Sequence, residues 1–360
     1  MSFSKKFSRA TLFCALAGVA ALIFGCSGQR GAGGDVRLQG AGATFPNPLY
    51  QKWLSEYTKL NPNVRIDYQS IGSGGGIKQI KDGIIDFGAS DAPMSDEDLK
   101  SAPGEILHIP TVLGAVVLTY NLQGVSQPLH FSPDVIADIF LGKIKKWDDP
   151  RIKADNNGAG LPSSDITVVH RSDGSGTSAI FTDYLSKVSA EWKEKVGKGT
   201  SPNWPVGLGG KGNEGVTGTV KQTPNAIGYV ELAYAVKNGL PVALIKNKSG
   251  NFVEASLDAV TAAASESIQT TPEDLRVSIT DASGANAYPI ASYTYILAYR
   301  EQKDAAKGKA LVDFLWWGIH DGEKYAKEKD LNYAPLPAEI VKRAEAKINS
   351  ITSGGKALRQ

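Results

Sequence analysis

Past the first 35 residues, apolar positions along the chain alternate between two spacings. Residues 48–60 place apolar side chains at helical spacing up to Leu60, and the next segment, 64–68, alternates apolar and polar residues as a strand does. The same order then returns, because the glycine-rich turn at 72–76 opens a second helical pattern that extends to Ile84. Repeated strand–turn–helix units of this kind predict an α/β fold built on parallel strands.

Two long β-rich runs, 106–120 and 288–298, interrupt this alternation. We interpret the first as a strand that leaves one lobe for another, and the second as the return crossing. The chain is therefore predicted to form two lobes, residues 36–114 with 285–360 and residues 115–284, each a mainly parallel sheet flanked by helices. Ligands of such sheets bind beyond the carboxyl ends of the strands, so the cleft between the lobes is the predicted site.

Residues 1–26 have the features of an export signal. Three basic residues precede an apolar segment, 11–24, that is too short to span a membrane. The signal ends in Ile-Phe-Gly-Cys-Ser, which resembles the lipobox of bacterial lipoproteins, so Cys26 is the predicted lipidation site. A plain cleaved signal, in which Cys26 is incidental, is the alternative. Residues 27–35 are predicted to be a flexible tether.

Composition and charge exclude several classes of function. The chain has 360 residues, of which 42% are hydrophobic and 21% charged, as in soluble globular proteins. Without the three basic residues of the signal, the 39 basic and 37 acidic residues leave a net charge of about −1. A nucleic-acid partner is not expected, because such proteins normally have a basic face. The four histidines are scattered, and Cys14 leaves with the signal, so neither a metal site nor an internal disulfide is expected.

The segment 171–178, Arg-Ser-Asp-Gly-Ser-Gly-Thr-Ser, has the composition of an anion-binding loop. It lies between a strand pattern at 166–170 and a helical pattern that begins at Ile180. N–H groups at a helix start lack partners within the helix, and the guanidinium of Arg171 matches phosphate or carboxylate oxygens. The segment is therefore predicted to hold an anion, with an ordinary helix cap after a surface turn as the alternative.

Three other predicted strand ends are followed by loops of small and polar residues. These loops contain Thr44, Phe45, Ser73 and Asp91. Together with the loop at 171–177 they are expected to converge on one buried anion, since three of the four loops open helices. Two alternatives stay open, because residues 72–76 also suit a flexible loop and Asp91 also suits an Asx turn before Pro93.

Two carboxylates have a physical use in such a site. Asp173 can pair with Arg171 and orient it. Asp91, if aimed at the ligand, can accept a hydrogen bond from a protonated oxyanion. Phosphate keeps a proton at neutral pH and sulfate does not, so sulfate would leave that carboxylate unpaired in a dry pocket. A ligand that leaves a buried polar group of its site unpaired can be rejected by roughly four to five orders of magnitude in affinity. Asp91 is therefore the residue predicted to select phosphate over sulfate.

Six motifs, in the same order along the chain, resemble the phosphate-binding proteins of bacterial phosphate-specific ABC importers. They lie at 40–46, 71–76, 86–93, 141–148, 171–177 and 207–213. The resemblance implies a two-lobed periplasmic-binding-protein fold, type II-like, that closes on one dehydrated phosphate. By motif position it implies phosphate contacts from Thr44, Phe45 (through its amide), Ser73, Asp91, Arg171, Ser175, Gly176 and Thr177, with Asp173 supporting Arg171. Some relatives have a second arginine where this chain has His170, whose role stays open.

The resemblance also implies a function outside the cytoplasm. It implies a monomeric receptor, on the periplasmic or cell-surface side, that binds inorganic phosphate and delivers it to two membrane permease subunits and a pair of cytoplasmic ATPase subunits. No cofactor is expected. Many relatives are free in the periplasm, whereas the lipobox at Cys26 predicts attachment of this chain to a membrane.

Two other functions are weighed against phosphate reception. A binder of sulfate, molybdate or an organic phosphate is the nearer alternative, but a site for a fully ionised oxyanion gains nothing from the acceptor Asp91. A phosphatase is the other. The chain lacks the Gly-x-Ser-x-Gly spacing of a nucleophile elbow, and it has no Gly-Lys followed by Ser or Thr. Residues 207–212 match Gly-x-Gly-x-x-Gly, but residues 207–215 are predicted to be a loop.

Overall fold

A computed structural model of the chain describes residues 35–359. The predicted signal, the lipidation site at Cys26 and all but the last residue of the predicted tether lie outside this range. Within it, no helix combines the length and the apolarity needed to cross a membrane. The same range holds no cluster of three or more His, Cys, Asp or Glu side chains that could bind a metal ion.

The described residues form thirteen strands. They are β1 (Val36–Gly42), β2 (Val64–Ser70), β3 (Phe87–Ser90), β4 (Ile106–Asn121), β5 (His130–Phe131), β6 (Thr167–Arg171), β7 (Leu208–Gly210), β8 (Ala226–Glu231), β9 (Leu244–Lys246), β10 (Phe252–Val253), β11 (Ala291–Tyr299), β12 (Thr352–Ser353) and β13 (Lys356–Ala357).

Thirteen helices alternate with these strands over the same range. They are α1 (Asn47–Leu60), α2 (Ser73–Lys81), α3 (Asp96–Ser101), α4 (Pro133–Phe140), α5 (Pro150–Asp155), α6 (Gly176–Val188), α7 (Ala190–Lys195), α8 (Gly212–Gln222), α9 (Leu232–Lys237), α10 (Leu257–Ser267), α11 (Ala305–Ile319), α12 (Glu323–Ala326) and α13 (Ala338–Asn349). The predicted alternation of strands and helices, and with it the α/β class, is confirmed.

One sheet of eight strands organises the molecule, in the order β2-β1-β3-β11-β4-β8-β6-β7. Its longest member is the 16-residue β4. The first part of β4 pairs with β11 from Ile106 to Ala115, and the rest pairs with β8 from Val116 to Asn121. We call β1, β2, β3 and β11 the first half of the sheet and β6, β7 and β8 the second half. Strand β4 belongs to both halves.

The sheet is mixed, with parallel pairs in each half and antiparallel pairs where the two long strands lie. Strand β1 is parallel to β2 and β3, and β6 is parallel to β7 and β8. The two long strands β4 and β11 pair antiparallel with each other, and each also pairs antiparallel with its neighbour in the sheet. The predicted parallel units therefore form the two outer parts of the sheet, and the crossing strands β4 and β11 join them.

Aromatic side chains fill the core on both sides of this join. In the first half, Trp53 and Tyr57 of α1 pack against Phe314 and Trp317 of α11, with ring centroids 5.2–6.4 Å apart. In the second half, Phe181 of α6 stacks on Tyr229 of β8 at 4.5 Å. Buried aromatic pairs of this kind contribute large apolar areas, so the helices that open at the strand ends are rigidly held.

The helix predicted at 48–60 is confirmed, although the last residue of its apolar face is exposed, and the helix predicted to reach Ile84 extended too far. Leu60 is the last residue of α1 and is 64% exposed, so the buried stripe of that helix ends at Tyr57. Helix α2 ends at Lys81, and Ile84 lies beyond it with 61% exposure. Both residues continue an apolar helical spacing in the sequence, but both side chains are exposed in the structure.

The prediction of a loop at 207–215 is wrong. Residues Leu208–Gly210 form β7, which pairs in parallel with β6, and α8 begins at Gly212. Glycine makes this possible, because a Cβ on Gly210 would lie 2.6 Å from the amide nitrogen of Val216. The pairing partner β6 is distant in sequence, and the local pattern of small residues therefore gave no strand signal.

Candidate functional site

The four loops that were expected to converge meet at the carboxyl ends of the strands. Gly74, in the first turn of α2, donates its N–H to the carbonyl of Gly174 at 2.9 Å. Ser73 Oγ lies 3.4 Å from Asp91 Oδ2 and accepts the Asp91 N–H at 3.2 Å. The loops of both halves of the sheet are therefore in contact. The buried members of the predicted set are Thr44, Phe45, Ser73, Asp91, Arg171, Ser175, Gly176 and Thr177, and Asp173 is partly exposed.

Arg171 is buried and is held by a two-point ion pair. Its Nε donates to Asp173 Oδ1 at 2.8 Å and its Nη2 to Asp173 Oδ2 at 2.6 Å. Asp173 Oδ1 also accepts the N–H of Gly212 at 3.0 Å. Burial alone would raise the pKa of Asp173, but the hydrogen bonds and charge of Arg171 lower it. The pair thus fixes the plane of the guanidinium, as was predicted for Asp173.

The guanidinium of Arg171 keeps donors available beyond this pair. Its Nη1 donates to Thr177 Oγ1 at 3.2 Å. Arginine has five N–H donors, and the three bonds to residues in the described range leave two of them for a ligand. A buried arginine with spare donors, oriented by a carboxylate, is suited to a planar pair of oxyanion oxygens.

Helices α2 and α6 direct their N-terminal ends toward the same place. Gly72 precedes α2 without a side-chain cap, and Ser175 caps α6 by accepting the Ser178 N–H at 2.9 Å. The N–H groups of the first turn, at Gly176 and Thr177, are not needed by the helix itself. Both helix ends therefore present amide donors and partial positive charge.

Asp91 is the carboxylate among these donors and is only 1% exposed. Burial raises its pKa to about 7, while the hydrogen bond from Thr294, the charge of Arg171 and the hydroxyl of Ser73 act in the opposite direction. Thr294 Oγ1, on β11, donates to Asp91 Oδ1 at 2.8 Å. Asp91 is therefore partly ionised near neutral pH, and its ionised form can accept a hydrogen bond from a protonated ligand oxygen.

A crevice of 890 Å³ reaches the site at Asp91, the one residue of the predicted set that lines it. Its lining includes Asp91 and Gly74 together with Thr200 and Ile180 from the second half of the molecule. Lys81 and Lys198, which also line it, are paired with Asp98 and Asp183. The charges of these two lysines are therefore balanced by neighbouring carboxylates.

Phe45 and Thr44 hold the chain between β1 and α1 in a fixed position. The carbonyl of Phe45 accepts from Tyr333 Oη at 2.6 Å, and that of Thr44 accepts from Tyr234 Oη at 2.6 Å. Phe45 is fully buried. Anchoring of the carbonyls fixes the peptide planes of this turn, on which the direction of the neighbouring amides depends.

Sequence reasoning missed two buried side chains at this place. Asn213, at the start of α8, donates to Thr44 Oγ1 and Thr177 Oγ1, and Thr294 donates to Asp91. Asn213 belongs to the motif at 207–213, which was a usable signal. Thr294 lies within an apolar strand pattern that gave none.

His170, whose role was open, packs outside this group. Its ring stacks on Trp204 with centroids 5.0 Å apart, and its Nδ1 lies 3.0 Å from the carbonyl of Arg171. The same Trp204 also stacks on Tyr229 at 5.4 Å. His170 therefore supports the core behind Arg171 through packing.

Known proteins resemble the chain along most of its length. Residues 28–316 match the sequence model of the PBP superfamily domain. A phosphate-binding protein PstS of Xylella fastidiosa is 47% identical over 313 residues, covering 87% of this chain and 85% of that protein. Its counterpart in Pasteurella multocida is 46% identical over 326 residues, covering 90% and 93%.

A solved structure shares the fold at low sequence identity. It is the crystal structure of a putative phosphate ABC transporter substrate-binding protein from Clostridium perfringens with bound phosphate. Its TM-score is 0.60 and its identity 19%, and the match covers 84% of this chain and all of that one. This likeness concerns the arrangement of the backbone alone.

Proposed function

The chain belongs to the family of PstS phosphate-binding proteins within the PBP superfamily, and on that basis we propose that it is an extracytoplasmic receptor for inorganic phosphate. Its fold is the two-lobed one of periplasmic binding proteins. It is a binding protein and not an enzyme, as the sequence predicted.

The observation that best supports phosphate as the ligand is the buried Asp91 among donors. Around it lie the guanidinium of Arg171, two helix N-termini and several hydroxyls. An oxyanion that keeps one proton can donate it to Asp91 and accept from all the others. Sulfate offers the acceptors but not the proton, and it would leave the carboxylate unpaired at a cost of about 1–3 kcal/mol or more.

The predicted contacts take distinct roles in this proposal. Hydroxyl groups of Thr44, Ser73, Ser175 and Thr177, amides of Phe45 and Gly176, and the guanidinium of Arg171 donate to phosphate oxygens. Asp91 accepts the phosphate proton, and Asp173 orients Arg171. Apart from the partly exposed Asp173, these groups are buried, and contacts between their loops also support this assignment.

The lobes act together in the same proposal. Residues 36–114 with 285–360 form one lobe and residues 115–284 the other, and they close on the ligand. The receptor then delivers phosphate to an importer with two permease subunits and two ATPase subunits. Cleavage just before Cys26 leaves this residue as the lipidated N-terminus, which attaches the monomeric receptor to a membrane, with residues 27–35 as the tether.

Calorimetric titration tests the ligand. The chain from Ser27 onward, freed of bound ligand, is titrated with phosphate and then with sulfate and molybdate. We expect one-to-one binding of phosphate with negligible heat from the other two. Equal binding of sulfate would contradict the role of Asp91, and a folded chain that binds none of the three would overturn the receptor function.

Membrane attachment is tested separately, in bacterial cells that express the full chain. Wild type is expected in the membrane fraction and to incorporate labelled fatty acid, and Cys26→Ser is expected to lose both properties. Recovery of unlabelled wild type in the soluble extracytoplasmic fraction would favour a plain cleaved signal.

A further inference from the structure

Asn213 joins the two halves of the molecule through two threonine hydroxyls. It is fully buried in the first turn of α8. Its Nδ2 donates to Thr44 Oγ1 at 2.8 Å and to Thr177 Oγ1 at 3.1 Å. Thr44 follows β1 in the first half, whereas Thr177 opens α6 in the second half.

The orientation of this amide is fixed by a backbone donor. The N–H of Glu231 donates to Asn213 Oδ1 at 2.9 Å. A backbone N–H can only donate, so the atom facing it must be the amide oxygen. The NH₂ group therefore faces the two threonines.

Each threonine oxygen receives a second donor. Thr44 Oγ1 also accepts the backbone N–H of Asn213 at 3.2 Å. Thr177 Oγ1 also accepts from Arg171 Nη1 at 3.2 Å. A hydroxyl has one hydrogen to donate and two lone pairs to accept with. Both lone pairs of both threonines are therefore occupied, and the hydrogen of each hydroxyl has to point to another acceptor.

We propose that Asn213 is a positioning residue that turns the hydroxyls of Thr44 and Thr177 into obligate donors toward the bound oxyanion. This inference rests on the proposed function, because it needs an oxyanion in the site. The ligand atoms that face these threonines must then be unprotonated acceptors. The single proton of the ligand is excluded from both positions and is left to Asp91.

Asn213 thus contributes to selectivity without touching the ligand. Without its amide, each hydroxyl could rotate and accept a hydrogen bond, which would let the site tolerate a proton on the facing ligand oxygen. The arrangement also depends on contact between the halves, because one NH₂ group serves a threonine from each.

A double-mutant cycle tests the inference by calorimetric titration with inorganic phosphate. In the wild-type background, Asn213→Ala is expected to weaken phosphate binding by about 10-fold. This is the effect of losing one or two hydrogen bonds from the threonine hydroxyls to a charged ligand. In the Thr44→Val background, and separately in Thr177→Val, the same change is expected to cost clearly less, because the hydroxyl through which it acts is gone. An equal cost in all backgrounds would show a merely structural role and overturn the inference.

Two controls separate failure of this inference from failure of the proposed function. Wild-type chain that binds no phosphate refutes the receptor itself, whereas wild-type binding with an unaffected Asn213→Ala refutes only the role of Asn213. The matched variant is Asn156→Ala, since Asn156 is also buried and bonded to backbone groups, but around His130 and Ile152. It is expected to lower thermal stability and leave phosphate affinity unchanged.

The variant Asn213→Asp adds an independent measurement if the alanine variant folds poorly. It keeps the shape of the side chain and replaces the NH₂ donor by an acceptor, to which the threonines would donate instead of to phosphate. We expect a greater loss of affinity than in Asn213→Ala. An isosteric variant that binds as tightly as wild type would also overturn the inference.

Discussion

The α-carbon of Gly176 lies against the carboxyl group of Asp91, so closely that a Cβ on Gly176 would be 2.5 Å from Asp91 Oδ2. One residue opens α6 in the second half of the molecule and the other follows β3 in the first. No side chain fits between them. The absence of a side chain at position 176 is therefore a condition for the two halves to meet.

Gly176→Ala is expected to weaken phosphate binding by about 10- to 100-fold, because overpacking of this kind costs about 1–3 kcal/mol. Calorimetric titration measures the affinity. Gly218→Ala is the control, since Gly218 lies within α8 and a Cβ there meets nothing within 4 Å. That variant should bind normally and be as stable as wild type or slightly more so. Unchanged binding by Gly176→Ala would mean that the halves are farther apart in the ligand complex.

Asp91→Asn is expected to change selectivity more than stability. The amide keeps the size of the side chain but adds an NH₂ donor at the position where the carboxyl accepts the proton of phosphate. The ratio of phosphate to sulfate affinity should fall by about two orders of magnitude or more. Competition titrations with both anions measure this ratio. Asp82→Asn, a surface residue paired with Lys78, should leave it unchanged.

Asp183 ties α6 to the segment that precedes β11. It accepts hydrogen bonds from Lys198, Ser278 and Thr280 at 2.6–2.7 Å. Burial alone would raise its pKa, but these bonds and the charge of Lys187 hold the pKa well below its ordinary value. A carboxyl with a depressed pKa stabilises the fold above its ordinary pKa and loses that contribution as the pH falls.

Asp183→Asn should therefore lower the free energy of unfolding by about 2 kcal/mol at pH 7. The difference from wild type should shrink as the pH falls below about 4. Urea unfolding at a series of pH values checks both statements. A constant difference across this range would show that the charge of Asp183 is not the source of its contribution.

His108 is expected to make the fold sensitive to acid. It is buried, its Nε2 accepts the N–H of Met94 at 3.0 Å, and its ring contacts Tyr295 edge-on. Burial, aided by the nearby charge of Arg276, lowers its pKa to about 3. The His108 ring is therefore neutral in the folded protein, whereas in the unfolded chain it takes up a proton below about pH 6.5.

The stability that His108 contributes is therefore complete above pH 6.5 and is lost as the pH falls toward 3, by up to about 1.4 kcal/mol per pH unit. Urea unfolding at pH 7.5 and pH 5.0 measures the loss. His108→Gln, which keeps an acceptor for Met94, should lose less stability between the two values than wild type. Identical losses would assign the acid sensitivity to other groups.

The local units of the fold were predictable because their signals lie within a few residues. The loop at 171–178 is an example, since its glycines, its arginine and the following apolar spacing together define a strand–loop–helix unit. The motif order also located the loops that the structure brings together. The ligand roles of these residues remain predictions until the titrations are made.

The parts that the sequence did not reveal depend on distant partners. Thr294 bonds to a carboxylate 203 residues away, and Asn213 to a hydroxyl 169 residues away. Strand β7 forms only because β6 supplies a pairing edge for Leu208–Gly210. Each of these features requires knowledge of which elements become neighbours, and hydrophobic spacing along one segment contains no such information.

The position of β11 sets the order in which the sheet can be completed. Strands β1 to β4 all lie within the first 121 residues, yet β11, residues 291–299, separates β3 from β4 in the finished sheet. A chain that ends before residue 291 would leave the facing edges of β3 and β4 without a partner, open to pairing with other molecules. The eight-stranded sheet can therefore be completed only when β11, far along the chain, is available. This dependence makes folding slow and exposes incomplete chains to aggregation.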